Sequence, residues 1–94
     1  MITLYHGTTS RHNVGKVLYP PSTTGTLREE FRKKYIDVVF LTNSLKSAQY
    51  YAKKAVEKYG GEPIIYEASP IPYYIQINTT EYICPRARID RRIR

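Results

Sequence analysis

An α+β fold is predicted for this chain, with a small, mainly antiparallel β-sheet, one long helix and one short helix. Two features of the sequence indicate this class. Short runs of β-branched and aromatic residues recur between turn residues, as in strands that pair antiparallel. One long segment between these runs carries apolar residues at every third or fourth position, as on one face of a helix. The length of 94 residues fits a single domain, taken as residues 1–94.

The first third of the chain is predicted to contain a strand and the short helix. Residues 2–5 are mostly apolar and favour a short strand. Thr9 or Ser10 can cap a helix that follows, and Pro20 stops it. The inward-facing residues of this helix would be Val14, Val17 and Leu18.

The next third contains a loop, a buried strand and the long helix. Residues 20–27 have loop composition, and residues 28–35 mix charged and other side chains, as in one exposed helical turn or a mobile loop. The β-branched run at 36–41 predicts a buried strand. Thr42, Asn43 or Ser44 can cap the helix that follows, and Gly60-Gly61 ends it. Its apolar stripe comprises Leu45, Ala48, Ala52, Ala55, Val56 and Tyr59.

The last third is predicted to consist of strands. Residues 63–68 form the first of them, bounded by prolines, and residues 72–77 and 81–84 form the next two. Residues 86–93 alternate in polarity and predict a basic edge strand, whose charges discourage pairing with other sheets. The apolar face of this strand would carry Ala87, Ile89 and Ile93.

The charge of the chain is strongly positive and unevenly spread. The formal net charge is +7, from 15 Lys and Arg against 8 Asp and Glu. Residues 86–94 alone supply +4, from five arginines and one aspartate. This asymmetry favours contact with an acidic partner such as nucleic acid or nucleotide phosphates, although a solvated edge that keeps a small protein soluble explains it equally well. The arginines concerned are Arg86, Arg88, Arg91, Arg92 and Arg94.

Several classes of protein are excluded by the sequence. The longest apolar run inside the chain is 38–41, whereas a membrane helix needs roughly 20 apolar residues. Cys84 is the single cysteine, which rules out an internal disulfide and favours a reducing compartment, with the cytoplasm as the simplest reading. His6, His12 and Cys84 lack metal-ligand spacing, so no metal site is predicted.

Three short segments carry residues suited to chemistry. In the first, His6 precedes a glycine, which lets a ligand approach the backbone closely. In the second, the strand residues 39–42 lead into a helix that shows Tyr50 and Tyr51. In the third, Glu81 enters an apolar strand, where a carboxylate is costly unless it has a partner. Taken singly, each segment is more simply read as a turn, a packed core or a surface glutamate.

Taken together and in this order, the three segments resemble the ADP-ribosyltransferase family. The family signature is a histidine, an aromatic residue and a glutamate or aspartate on three separate strands. Tyr5-His6-Gly7-Thr8 is similar to the first motif, and residues 39–42 with 44–52 are similar to the second. Glu81-Tyr82-Ile83 resembles the third motif of the diphtheria-toxin branch. The first two blocks and residues 65–70 also resemble small enzymes that ADP-ribosylate rifamycin antibiotics.

The resemblance implies a split sheet and a site that cleaves NAD, the cosubstrate, at its bond to nicotinamide. Glu81 would bind the 2′-hydroxyl of the nicotinamide ribose and stabilise the positive charge at the anomeric carbon. His6 would hydrogen-bond the adenosine ribose, and Gly7 would present its backbone to nicotinamide. Phe40 and Tyr50 would stack on the nicotinamide ring. Catalytic roles thus go to Glu81 and His6, and NAD binding to His6, Gly7, Thr8, Arg11, Phe40 and Tyr50. His6, Phe40 and Glu81 are accordingly expected to line one cleft.

Two departures from the family pattern bear on the reaction. Val39 and Phe40 stand where the motif tyrosine would fall, and Phe40 keeps its stacking face without the hydroxyl. Thr79 replaces the second glutamate of arginine-specific members, which argues against arginine as the acceptor.

The resemblance and the charge distribution leave two function classes open. The first is an NAD-dependent mono-ADP-ribosyltransferase whose acceptor is a protein, a nucleic acid or a small antibiotic. The second is a non-catalytic module that binds nucleic acid through the C-terminal arginines and its tyrosines, on a transferase scaffold that has lost activity.

Overall fold

Seven strands in one antiparallel sheet and a single helix make up the part of the chain that a computed structural model describes, namely residues 2–12, 15–20 and 38–93. The sheet has the strand order β2-β7-β4-β1-β3-β6-β5. The elements are β1 (Leu4–Thr9), β2 (Val17–Leu18), β3 (Val39–Thr42), α1 (Leu45–Tyr59), β4 (Pro63–Ile71), β5 (Ile75–Gln76), β6 (Glu81–Cys84) and β7 (Arg86–Ile93). This mixed architecture, mostly sheet, is compatible with the predicted α+β class.

The sheet consists of two parts that meet at one residue pair. β1 pairs with β4 along its whole length, from Leu4 to Thr9. It pairs with β3 only through Tyr5 and Thr42, a pair that we call the junction. Strands β2, β7, β4 and β1 therefore form a four-strand part, and β3, β6 and β5 form a three-strand part. Beyond the junction no further residues of β1 and β3 are paired with each other.

The hydrophobic core lies on one face of the sheet and draws on both parts. Leu4 and Gly7 are three positions apart on a pleated strand, so they point to opposite faces, and Gly7 faces α1. Leu4 belongs to the core, which therefore lies on the face away from α1. The buried core residues are Leu4, Leu18, Val39, Leu41, Ala68, Tyr82, Cys84 and Ala87.

Helix α1 begins and ends where the sequence predicts. The Ser44 hydroxyl accepts a hydrogen bond of 3.2 Å from the main-chain N–H of Ser47, as an N-cap does. At the other end Gly60 and Gly61 have positive φ values of 79° and 83°, which glycine adopts without strain. Of the predicted apolar stripe, Ala48 and Ala52 are buried, whereas Leu45 and Tyr59 remain exposed.

Helix α1 lies directly on the main chain of β1. A Cβ added to Gly7 would overlap the main-chain carbonyl oxygen of Ala48 and would lie 2.8 Å from the main-chain nitrogen of Ala52. The small side chains of Ala48 and Ala52 allow the same approach from the helix side. Only a residue without Cβ at position 7 permits this packing distance.

The predicted short helix is wrong where the structure describes it. Val17 and Leu18 form β2 and pair with Arg88 and Ala87 of β7. Thr9 does not cap a helix, because it ends β1 and its hydroxyl donates to the carbonyl oxygen of Gly60. Pairing with β7 satisfies backbone groups that a short helix interrupted by Gly15 would satisfy poorly. Val14 lies outside the described residues.

Two strands, β1 and β4, end at least three residues later than predicted, and one strand is shorter. β1 also begins at Leu4 rather than residue 2, and β3 begins at Val39 and ends at Thr42 rather than Leu41. β1 continues to Thr9, so the His6-Gly7-Thr8 segment lies inside the strand rather than after it. β4 continues to Ile71, whereas β5 covers only Ile75–Gln76. The longer strands follow from the β1–β4 and β4–β7 pairings, which tertiary structure supplies and local sequence does not show.

The prediction gave the correct bounds for the basic strand but the wrong position in the sheet. β7 spans Arg86–Ile93 as predicted. It is not an edge strand, because β4 pairs along one side and β2 along part of the other. The predicted loop at 20–27, except Pro20, and the charged segment at 28–35 lie outside the described residues, as do positions 36 and 37 of the predicted strand. No helix among the described ranges has both the length and the apolar character needed to cross a membrane.

Candidate functional site

The carboxylate of Glu81 is held by two hydrogen bonds at the start of β6. The Tyr51 hydroxyl of α1 donates to Oε2 over 2.8 Å. The Asn78 side-chain amide donates to Oε1 over 2.9 Å. Glu81 is half-buried, and within the described residues neither Lys nor Arg forms an ion pair with it. Both carboxylate oxygens are thus fixed by neutral donors, and the negative charge is left available to a ligand.

Tyr51 remains a donor over the whole physiological pH range. Burial raises the pKa of Tyr51 to about 12, and the hydrogen bond to Glu81 and the negative charge of that carboxylate act in the same direction. The neutral phenol therefore persists. It aims its proton at Glu81 and fixes the carboxylate from the helix side.

A turn before β6 fixes the carboxylate from the other side. The side-chain oxygen of Asn78 accepts hydrogen bonds from the main-chain N–H groups of Thr80 (3.0 Å) and Glu81 (2.8 Å). Such turns are a common role of asparagine. The same side chain therefore shapes the turn through its oxygen and orients Glu81 through its nitrogen. Asn78 was missed from the sequence, although an asparagine three positions before a strand glutamate is a readable signal.

A second asparagine joins this turn to the end of β3. The side-chain amide of Asn43 donates to the carbonyl oxygen of Thr79 (3.0 Å) and to the hydroxyl of Tyr82 (3.3 Å). Its main-chain N–H donates to the carbonyl oxygen of Thr80 over 3.0 Å. The segment that carries Glu81 is therefore anchored to the segment that leads into α1.

Apolar side chains lie on the same face of the sheet as Glu81. Strand register places Tyr5, Thr42 and Glu81 in one row across β1, β3 and β6. The next row on that face contains Phe40, Ile83 and Ile75. This is the face covered by α1, from which Tyr51 reaches Glu81. Glu81, Tyr51, Asn78 and Phe40 are together called the Glu81 site below.

Tyr51, which was not among the predicted site residues, contacts Glu81. Tyr50, predicted to stack on nicotinamide, lies next to it. The ring of Tyr50 is 57% exposed and lies edge-on to Tyr51, with ring centroids 5.8 Å apart. The ammonium group of Lys54 lies 5.5 Å from the Tyr50 ring centroid. Tyr50 thus offers an aromatic face beside the site, whereas Tyr51 supplies the direct hydrogen bond.

His6 follows Tyr5 of the junction and lies where the pairing of β1 with β3 ends. Its Nδ1 lies 2.9 Å from the main-chain carbonyl oxygen of Phe40, so Nδ1 carries the proton. Burial lowers the pKa of His6, the hydrogen bond to Phe40 opposes this, and the nearby His12 lowers it further. His6 is therefore neutral at pH 7, with Nε2 as a hydrogen-bond acceptor.

The side chains of His6 and Glu81 leave the sheet on opposite faces. Tyr5 shares a face with Thr42 and Glu81, and His6, the next residue on a pleated strand, points the other way. Two strand spacings separate β1 from β6, a distance of about 10 Å between main chains. The expectation that His6, Phe40 and Glu81 line one cleft therefore needs correction. The structure brings Phe40 and Glu81 to one face, whereas His6 points to the other face and hydrogen-bonds the main-chain carbonyl oxygen of Phe40.

The other residues of the predicted NAD set lie elsewhere on β1 and the turn after it. Gly7 is needed for the approach of α1, which takes the space that the sequence suggested for a ligand. Thr8 is buried, and its hydroxyl lies 3.1 Å from Nδ1 of His12. Arg11 is exposed, and its main-chain N–H donates to the Thr9 hydroxyl over 3.3 Å. None of the three contacts Glu81 through a hydrogen bond or ion pair among the described residues.

The arginines of β7 are exposed, but two of them are engaged in ion pairs. Arg88 pairs with Asp90 at 2.9 Å, and Arg91 pairs with Glu67 at 2.6 Å. A hydrogen bond from Ser69, helped by Arg88, lowers the pKa of Asp90. Arg86 and Arg92 are exposed without an ion pair to another described residue, and Arg94 lies outside the described residues. Part of the positive charge expected on this strand is therefore offset locally.

The described ranges contain no group of three or more His, Cys, Asp or Glu side chains that could hold a metal ion. No protein-family model, curated protein or solved structure matches the chain.

Proposed function

We propose that this chain is an NAD-dependent mono-ADP-ribosyltransferase and that Glu81 is its central catalytic residue. The observation that carries the proposal is the carboxylate of Glu81, fixed by Tyr51 and Asn78 on a sheet face that also carries Phe40. A negative group held in one orientation beside aromatic rings suits a flat cation. The nicotinamide ring of NAD is such a cation.

The chemistry of NAD cleavage matches what these side chains can supply. Aromatic faces attract a cationic ring. Tyr51 contacts the carboxylate, Tyr50 lies beside Tyr51, and Phe40 lies in the next row of the same sheet face. As the bond from the ribose C1′ to nicotinamide breaks, nicotinamide leaves neutral with the bonding electron pair. Positive charge then develops on the ribose, and the carboxylate of Glu81 stabilises it. The acceptor atom bonds to C1′ and gives its proton to water or to Glu81.

The division of the sheet supports the same proposal. A sheet in which β1 and β3 pair only at the Tyr5–Thr42 junction is compatible with the split sheet of the ADP-ribosyltransferase family. His6 lies at the parting, with Nε2 free of the hydrogen bond that Nδ1 makes to Phe40. NAD is an elongated dinucleotide. It would have to follow the parting between β1 and β3 for one ribose to contact His6 and the other Glu81.

The experiment is NAD turnover by the purified chain. The protein is incubated with NAD, released nicotinamide is quantified by liquid chromatography, and NAD binding is measured by calorimetry. The expected result is binding together with nicotinamide release, with water as the acceptor when no other is present. A protein that neither binds nor cleaves NAD would contradict the proposal and leave the non-catalytic, nucleic-acid-binding alternative.

A further inference from the structure

The outer side of β5 is an uncharged edge on a strongly charged chain. β5 is the last strand of the sheet and pairs with β6 on one side. No strand among the described residues pairs with its other side. Residues 68–80, which contain β5, form the longest stretch of the sequence without Asp, Glu, Lys, Arg or His. Residues 73–77 are called the β5 edge below.

The side chains of the β5 edge are large and exposed. Ile75 is 52% exposed, and Tyr73, Tyr74 and Ile77 are exposed as well. Proteins usually protect an edge strand with lysine, proline, a bulge or a covering loop, because its unpaired main chain invites another strand. None of the four side chains supplies such a charge, and Pro72 lies before the strand rather than in it. The β5 edge is therefore open to pairing.

Free hydrogen-bonding groups of β5 point away from β6. The main-chain N–H of Ile77 donates to the carbonyl oxygen of Glu81 over 2.9 Å, and β5 continues this ladder. Successive residues of an antiparallel strand direct their main-chain groups to alternate sides. The N–H of Gln76 and the carbonyl oxygen of Tyr74 therefore point outward, where a further strand can bind them.

We propose that two copies of this chain pair antiparallel through their β5 edges, around a two-fold axis at Ile75. In this register the N–H of Gln76 in each copy donates to the carbonyl oxygen of Tyr74 in the other. Ile75 lies opposite Ile75 of the second copy, and Tyr73 lies opposite Ile77. Aromatic and β-branched side chains thus meet across the strands, a combination that stabilises antiparallel pairs. Both copies present the same patch, as a symmetric dimer requires.

The charge distribution favours a second copy as the occupant of this edge. Two chains of net charge +7 repel each other, and at the β5 edge they meet without like charges opposite each other. An acidic peptide would find no positive charge among residues 68–80. Helix α1 lies on β1, three strand spacings or about 14 Å from β5, and leaves the edge accessible. The two Glu81 sites would share one face of a continuous sheet.

The dimer is expected to be weak and reversible. Contact along one strand edge is smaller than the roughly 800 Å² per partner of a standard interface, so we expect a dimer Kd on the order of 10 to 100 µM. Analytical ultracentrifugation of the purified chain, from well below to well above this concentration, measures the association. The expected result is a conversion of monomer to dimer without larger species.

A lysine substitution tests the position of the axis. Ile75→Lys places two like charges directly opposite each other and should raise the dimer Kd at least about tenfold. Ile2→Lys is the matched control, because it adds the same charge at an isoleucine that is 46% exposed and lies before β1. Its effect on the Kd should stay within about twofold.

A proline substitution tests the main-chain hydrogen bonds. Gln76→Pro removes the outward N–H, which β6 does not use, so proline is compatible with this edge position. The variant should remain folded by circular dichroism and should fail to dimerise. Gln76→Val keeps the N–H and should dimerise as the wild type does. A folded Gln76→Pro protein that dimerises with the wild-type Kd would contradict pairing through the strand edge.

A cysteine substitution tests the register. Cα atoms of a non-hydrogen-bonded antiparallel pair lie about 4.5 Å apart, within the range that a disulfide spans. Ile75→Cys should therefore form a disulfide-linked dimer on oxidation by dissolved oxygen. Ile77→Cys, which faces Tyr73 of the second copy, should form this product at least about tenfold more slowly. Cys84 is buried and does not compete.

Three further results would overturn the proposal. The first is a monomer throughout the concentration range. The second is equal weakening by Ile75→Lys and Ile2→Lys, which would indicate repulsion by net charge alone. The third is linkage of Ile77→Cys as fast as that of Ile75→Cys, which would assign another register or surface. None of these measurements uses NAD, so their outcome is independent of the proposed function.

Discussion

The hydroxyl of Tyr51 donates a 2.8 Å hydrogen bond to Oε2 of Glu81 and so joins the middle of α1 to the first residue of β6. The two residues are 30 positions apart in sequence. The contact exists because Gly7 and two alanines let α1 lie close to the sheet, which brings the flank of the helix within reach of β6. In the proposed reaction this hydrogen bond fixes the orientation of the carboxylate before NAD binds.

Replacing Tyr51 by phenylalanine should therefore lower activity more than stability. Tyr51→Phe removes one hydroxyl and keeps the ring, so the free energy of unfolding should fall by only about 1 kcal/mol. NAD cleavage should fall severalfold, because one carboxylate oxygen loses the donor that orients it. Denaturant unfolding and nicotinamide release measure the two effects. Tyr59→Phe, at the end of the same helix, is the control and should change neither by as much.

Replacing Glu81 by glutamine should separate binding from turnover. Glu81→Gln keeps the size and much of the hydrogen bonding but removes the charge needed as nicotinamide leaves. Loss of one such preorganised group typically costs on the order of 100- to 1000-fold, and a reduction of at least about tenfold is expected here. NAD affinity, measured by calorimetry, should change little. Glu62→Gln, on the exposed loop before β4, should retain full turnover. A Glu81→Gln protein as active as wild type would remove Glu81 from the mechanism.

A methyl group at Gly7 should destabilise the fold far more than one at Gly15. At position 7 the added Cβ would overlap the main chain of Ala48 and crowd that of Ala52, so α1 would have to move off β1. Nothing lies within 4 Å of a Cβ built on Gly15. We expect Gly7→Ala to lower the free energy of unfolding by at least about 2 kcal/mol and Gly15→Ala to stay within about 0.5 kcal/mol of wild type. Comparable urea midpoints for the two variants would show that α1 does not pack as closely as described.

His6 should make stability fall as the pH drops below neutrality. Burial lowers the pKa of His6 in the folded chain below its ordinary value of 6.5, so the unfolded chain takes up this proton first. The stability from neutral His6 is complete above pH 6.5 and declines as the pH falls from 6.5 towards the lowered pKa. The slope should reach at most about 1.4 kcal/mol per pH unit.

Urea unfolding between pH 5 and pH 7 measures this dependence. His6→Asn keeps a donor for the carbonyl oxygen of Phe40 but does not titrate, so the slope in this window should become shallower. His12→Gln controls for the second histidine and should retain most of the slope. An unchanged slope in His6→Asn would assign the pH dependence to other groups.

Elements with a complete local signal were predictable, and those that depend on a partner were not. α1 shows its cap, its small apolar residues and its terminal glycines in sequence, and β6 and β7 show their bounds. β2 has only two residues, and its conformation comes from pairing with β7. Glu81 was singled out from its chemistry as a candidate site residue. Its contact with Tyr51 could not be predicted, because the rotation of α1 about its axis is set by the contact with Gly7 and not by the helix alone.

The burial of Cys84 gives the chain a built-in chemical reporter. Its thiol is the single one in the sequence, it lies in the core, and burial raises its pKa to about 11. Only the thiolate reacts readily with alkylating agents, and at pH 8 it is on the order of one part in a thousand of the folded population. Cys84 pairs with Val39 of β3, so labelling requires the three-strand part to open. The rate of thiol labelling with and without NAD would therefore show, without any engineered probe, whether NAD stabilises the three-strand part.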